Sequence, residues 1–151
     1  MISGDGRYVV FRSLATNLVA GDTNNAWDIL VHDRQTDTIE RVSVATGGGQ
    51  ADADSYSPSI SDDGRFVVFQ SKATNLVPND TNERWDIFLH DRDLGTTTRI
   101  NEPDGGQADI HSYAPAISGD GSTVAFESDA TNLVAGDTNA AKDLFVVKPT
   151  P

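Results

Sequence analysis

ISDDGRFVVFQS, residues 60–71, places four apolar side chains in unbroken succession, Phe66-Val67-Val68-Phe69, just after an Asp-Gly pair. Asp-Gly is a tight-turn signal, because short hairpin loops need residues that tolerate positive φ. A run that is apolar at consecutive positions predicts a strand covered on both faces, and so an interior one. The stretch returns as ISGDGRYVVFRS at 2–13 and as ISGDGSTVAFES at 117–128, at spacings of 58 and 57 residues. Self-similarity of this period is the signature of a repeat architecture.

Reading outward from each copy, the order is fixed. An apolar segment ends in Ile-Ser, an Asp-Gly turn follows, then a second strand, an ATNLV loop and a third strand such as DILVHD or DIFLHD. The first two units add a fourth strand, TIERVSV or TTTRIN. The former alternates in polarity and the latter is Thr-rich, as expected at a solvated sheet edge. No segment sustains a helical period. The chain reads as all-β, with four antiparallel strands per unit, which describes the blade of a β-propeller. A β-sandwich also has short strands and turns, but does not require the whole four-strand order to recur. The expected organisation is a single propeller domain or half-propeller over 1–151, with units at about 2–59, 60–116 and 117–148.

Composition narrows the function classes. Eleven basic against 23 acidic residues give a net charge of −12, which repels phosphate backbones and anionic lipid, so neither nucleic acid nor membrane is an expected partner. The surplus is mostly Asp in turn-like contexts, which favours local cation sites. There is no cysteine, which excludes disulfides and thiolate metal sites. No apolar stretch approaches the roughly 18 residues of a membrane span. Met1 runs directly into strand-like sequence, as expected of an internal piece of a longer chain or of one whose targeting segment has been removed.

The units ISxDGRxVVFxS, then WDIFLHD, then a polar fourth strand, with SYSPSIS or SYAPAIS leading into the next unit, resemble the repeats of TolB-like β-propellers. The resemblance covers nearly all of residues 2–148 and implies blades of a ring that is commonly six-bladed, in an extracellular or periplasmic setting. The additional α/β domain of TolB has no counterpart here. The first unit lacks an equivalent of Ser55 to Ser59, and the third reaches Lys148-Pro149-Thr150-Pro151 without a fourth strand. Three blades would expose an apolar face at each end of the fan. Two copies supply six blades, within the roughly 4 to 8 of closed propellers, so a homodimer closing the ring is expected. The other reading is a fragment of a longer propeller.

ATNLVAGDTNNAWDI, residues 15–29, raises the question of chemistry. Its neighbours drift between copies, yet Asp22-Thr23-Asn24 with Asp28 reappear as Asp80-Thr81-Asn82 with Asp86 and as Asp137-Thr138-Asn139 with Asp143. In the spacing D-x-N-x-x-x-D, oxygens at the first, third and seventh positions of a curled loop can converge on a hard cation, and Ca²⁺ tolerates an irregular shell. Thr23, Thr81 and Thr138 are possible further ligands, as are Asp52 and Asp109 of the repeated GGQAD, which the strand order sets on the same rim. The metal-free alternative is that Asp, Thr and Asn make side-chain-to-backbone turns, with Asp28 tying the loop to the third strand. No Lys or Arg lies inside the first loop to separate its carboxylates.

Other residues point more weakly. Trp27 and Trp85 flank the acidic loop as candidate ligand-stacking rings, although the third copy has Lys142. His32-Asp33-Arg34 and His90-Asp91-Arg92 read as turn-flanking salt bridges, and Tyr56 and Tyr113 as packing between blades. No nucleophile elbow, zinc-protease or phosphate-loop motif occurs, so no catalytic residues are assigned. The expected function is a non-catalytic, calcium-stabilised scaffold for protein binding or self-assembly. The alternatives are a carbohydrate-binding or glycan-processing propeller, or a propeller fragment made to study assembly.

Overall fold

The computed structural model describes residues 1–102 and 106–149; Gly105 of the second GGQAD and the terminal Thr150-Pro151 lie outside them. Every regular element is a strand. The first sheet contains β1 (Tyr8–Ser13), β2 (Asp28–Asp33) and β3 (Thr38–Arg41). The second contains β4 (Ser55–Ile60), β5 (Phe66–Ser71), β6 (Asp86–Asp91) and β7 (Thr96–Arg99), and the third β8 (Ser112–Ile117), β9 (Val124–Ser128) and β10 (Asp143–Val147). All neighbours are antiparallel and sequential. Among the described residues no helix is long and apolar enough to cross a membrane.

Among the described residues, only the second unit has its full set of four strands. In the first, the innermost strand is reduced to a bridge between Ile2 and Val9; in the third, β10 has no outer neighbour among the described residues. The interior position read from FVVFQS holds: Val67, Val68 and Phe69 of β5 have no exposed surface. β7, the Thr-rich strand, lies at the edge.

Strand alternation turns each sheet into a two-faced plate. Val10, Ile29 and Val31 of the first sheet pack against Ile60, Val67 and Phe69 of the second. Val68, Ile87 and Leu89 on the other face of that second sheet pack against Val124, Phe126 and Phe145 of the third. Equivalent residues therefore repeat one interface twice. At one rim Gly4 N–H donates to the Asp62 carbonyl (3.1 Å) and Asp62 N–H to the Gly119 carbonyl (2.8 Å), which links the same position of all three units. The arrangement is a fan of blades, a partial propeller, and not two stacked layers.

The Asp-Gly turns do more than reverse the chain. Gly64 has φ +76°, and a Cβ there would lie 2.1 Å from the ring of Tyr8 in the preceding blade; a Cβ on Gly121, φ +73°, would lie 2.5 Å from Phe66. Each of these glycines is thus the floor on which the previous blade's aromatic ring rests.

Candidate functional site

The three acidic loops share one local geometry. Asn24 Oδ1 accepts from Ala26 N–H (3.1 Å), Asn82 Oδ1 from Arg84 N–H (2.9 Å) and Asn139 Oδ1 from Ala141 N–H (2.8 Å). These are side-chain turns of the kind Asn makes with the backbone two residues on. The intervening residue takes positive φ each time: Asn25 at 53°, Glu83 at 55° and Ala140 at 52°.

The cation between the carboxylates of the first two loops is a guanidinium. Arg41, at the end of β3, places Nη1 3.3 Å from Asp22 Oδ1 and 3.2 Å from Asp28 Oδ2. Arg99, at the end of β7, places Nη1 3.2 Å from Asp80 Oδ1 and 3.7 Å from Asp86 Oδ2, while its Nε donates to Glu102 (3.0 Å). Two residues beyond each arginine a polar side chain completes the contact. Ser43 Oγ donates to Asp28 Oδ1 (2.7 Å) and accepts from Ile29 N–H (3.1 Å); Asn101 Nδ2 donates to Asp86 Oδ1 (2.7 Å), and its Oδ1 accepts from Ile87 N–H (3.0 Å). Asp28 and Asp86 are fully buried, so an unpaired charge at either would be costly.

The sequence reading left this loop between a calcium site, with Asp22, Asn24, Asp28 and their copies as ligands, and a metal-free turn. The hydrogen bonds of the turn alternative are present in each loop. The Asn oxygens serve the turns, and Asn24 turns its Nδ2 toward Asp28 (3.3 Å), a donor where a ligand oxygen would be needed. In the first two loops the guanidinium already stands between the carboxylates. No group of three or more His, Cys, Asp or Glu side chains converges among the described residues.

The proposed accessory ligands carry hydrogen bonds of their own. Gln50 Nε2 donates to Thr23 Oγ1 (2.7 Å), and Gln107 Nε2 to Thr81 Oγ1 (3.2 Å). Asp52 takes both the N–H and the hydroxyl of Thr74 (each 2.8 Å), and Asp109 takes those of Thr131 (2.9 and 2.7 Å). Asp52 and Asp109 therefore pin the next unit's ATN segment and cap the linker.

In the third loop Asn139 Nδ2 donates to Asp143 (3.1 Å), and its N–H to Asp137 (3.4 Å). No arginine, serine or asparagine from a fourth strand reaches Asp143 among the described residues, and Thr138 has no glutamine partner there.

Trp27 and Trp85 form a ladder with Tyr56 between them, at centroid distances of 6.3 and 5.3 Å. Arg12 lies over Trp27 (5.1 Å) and Lys72 over Trp85 (5.3 Å), so both indoles are engaged, Trp27 across the first two blades through Tyr56 and Trp85 within the second. Lys142, where the third unit lacks Trp, lies over Tyr113 (4.7 Å) and pairs with Glu127 (3.5 Å).

The His-Asp-Arg segments clasp the hairpin turns. Asp33 pairs with Arg7 (2.6 Å) and Asp91 with Arg65 (2.7 Å), and each arginine holds its carboxyl below the usual range. Arg34 donates to the Gly6 carbonyl (2.8 Å). Burial pushes the His90 imidazole down, toward its neutral form.

Sequence reasoning missed Arg41, Arg99, Ser43 and Asn101. Their signal is Arg-aliphatic-Ser/Asn, set thirteen residues after the last aspartate of the loop in both complete copies.

No family model matches the chain, and no curated protein does. Among solved structures it is similar to a putative TolB from Agrobacterium tumefaciens (TM-score 0.57, 19% identity), covering 97% of this chain and 43% of that one. TolB from Acinetobacter baumannii gives a TM-score of 0.55 at 18% identity, with 97% of this chain and 28% of that one covered. The tricorn protease gives 0.54 at 15%, over 86% of this chain and 11% of that one. The chain spans less than half the length of each. At these identities the likeness concerns the fold, which is that of TolB-like β-propeller repeats.

Proposed function

We propose that this TolB-like propeller unit is a non-catalytic scaffold for protein binding, and that its first partner is a second copy of itself. The observation that carries the reading is the mismatch between inner and outer sheet faces. Ile29 and Ile87 are 0% exposed and Val31 and Leu89 at most 5%, whereas their counterparts on β10, Leu144 and Val146, are 70% and 63% exposed. On the opposite side of the fan Ile2 is 55% exposed, while its counterpart Ile60 is 5% exposed.

The open face of the third sheet carries the residue types that, in the first two, cover the following sheet. A second molecule presenting Ile2, Val9 and Phe11 offers the surface such a face takes. Burying a side chain of this size contributes about 1.5–3 kcal/mol. Repeated twice about a two-fold axis, the same contact closes six blades.

The ionisable groups support a structural role, since they hold turns, linkers and strand ends in pairs. The guanidinium takes the neutralising task in the first two blades. Calcium stays in the proposal only at the third loop, where a rise in melting temperature with calcium, abolished by Asp143→Asn, is its test. Sedimentation at micromolar concentration tests the assembly: the proposal expects twice the chain mass, and a monomer overturns it.

A further inference from the structure

The third unit departs from the first two at three positions that meet in space. In the first two units Arg7 pairs with Asp33 and Arg65 with Asp91, and the next residues, Arg34 and Arg92, donate to the Gly6 and Gly64 carbonyls. In the third the same positions hold Ser122, Lys148 and Pro149. An ion pair and a guanidinium are thus replaced together.

The replacement opens a space between the second and third blades. Between the first two blades Arg92 covers the ring seated on Gly64: its guanidinium carbon lies 4.4 Å from the Tyr8 centroid while Nη1 bonds the Gly64 carbonyl. One blade on, Phe66 is seated on Gly121 in the same way, and Pro149 has no side chain that could reach over it. A pocket of about 450 Å³ lies there, walled by Phe66, Leu89 and Pro149 together with Gly121, Ser122 and Lys148. Concave, mostly apolar spaces of roughly 300–1,000 Å³ with a few polar groups are the usual sites of small ligands.

The charged groups of the pocket sort by what they already bind. Arg65 lies over Phe66 (4.6 Å) and is paired with Asp91 (2.7 Å) and Asp93 (3.6 Å). Asp120 accepts from the hydroxyls of Ser118 and Ser122 and from Ser122 N–H (3.0 Å), and these bonds hold its carboxyl down to about 2. Lys148 differs: it stands where Asp33 and Asp91 receive an arginine, faces Ser122 in that arginine's place, and forms no ion pair among the described residues.

We propose that this pocket binds a small arylalkanoate, a carboxylate carried on a flat apolar body. The body lies on Phe66 against Leu89, and the carboxylate meets the Lys148 ammonium. Removal of the apolar body from water supplies affinity, and the charge-assisted contact supplies selectivity for the acid. The pocket lies between two blades of one molecule, so it goes beyond the scaffold reading and does not depend on ring closure.

The test titrates the whole chain with 4-phenylbutyrate and, separately, with 4-phenylbutanamide, followed by amide chemical shifts. Saturable one-to-one binding of the acid is expected, with shifts at Gly121, Ser122 and Lys148. The amide should bind at least about tenfold more weakly, and the acid should lose as much on a Lys148→Gln chain. The triple variant Ser122→Arg, Lys148→Asp, Pro149→Arg gives the third unit the residues of the second; it restores the clasp, keeps the fold and fills the pocket, so binding of the acid should vanish. Absence of saturable binding, equal binding of acid and amide, or undiminished binding to the triple variant overturns the proposal. Whether the chain sediments as one copy or two alters none of these outcomes, so failure of the dimer and failure of the pocket are read separately.

Discussion

Gly64 is a residue whose role splits into two measurable parts. Its φ of +76° alone would burden any side chain, but Gly136 has φ +79° with nothing within 4 Å of a Cβ, whereas at Gly64 the Tyr8 ring would be 2.1 Å away. Gly136→Ala should therefore cost only the left-handed backbone term, roughly 1–2 kcal/mol. Gly64→Ala adds overpacking of about 1–3 kcal/mol. Urea unfolding of the two variants checks this, and equal losses would show that the ring moves aside freely. The turn was legible in the sequence because positive φ is a local demand that Asp-Gly announces. The ring on the glycine was not, because Tyr8 lies 56 residues away and belongs to another blade. Pairs across a turn behave similarly. The third unit has Ser122 in place of Arg7 and Arg65 and Lys148 in place of Asp33 and Asp91, so both partners of the clasp changed together.

Strands were read correctly where both faces fixed them, as in FVVFQS, whereas TIERVSV and TTTRIN were read too long, since their strands end at Arg41 and Arg99. Not legible in the sequence was the arginine beside the acidic loop, because it lies on a different element. The first loop holds no basic residue, and a cation was inferred; Arg41 arrives from β3, past a strand and a turn. The cluster in the second sheet carries a measurable consequence. Burial, and then the charge of Asp86, raise the Asp80 carboxyl above its ordinary value, and burial raises Asp86 as well, against the pull of Arg99. The folded chain thus holds a proton there more tightly than the unfolded chain does. The pair's contribution is most favourable below the ordinary aspartate pKa of about 3.9 and is lost as pH rises through the raised folded values. Asp80→Asn removes one member of the pair. The stability of the variant relative to wild type should therefore climb as pH rises from the ordinary aspartate value through the raised folded one. The clasp carboxylates Asp33 and Asp91 shift the other way and lose their contribution as pH falls, but they are common to both chains and cancel. A difference that is flat or declines with pH would mean that the Asp80 carboxyl is not raised in the folded chain.

At the scale of the molecule, the repeat made the fan legible, and the same repeat identifies where the proposed ring is weakest. Tyr8 and Phe66 each seat a ring on the glycine of the following blade, but the third blade has Thr123 at that position. Gly6, which would receive it from a second copy, has φ +74° and meets nothing closer than 3.8 Å. The closing contact between copies therefore lacks an aromatic that both internal contacts possess. Thr123→Phe should supply it. An added ring seated on Gly6 contributes about 1–1.5 kcal/mol per contact, and a closed dimer makes the contact twice, so the dissociation constant should fall on the order of 100-fold. Thr123→Asp should move it the other way, by placing a charge against an apolar face. Sedimentation equilibrium of the three chains resolves the series. If wild type and Thr123→Phe dissociate with the same constant, the third blade of one molecule does not meet the first blade of another, and the copies associate, if they do, through some other face.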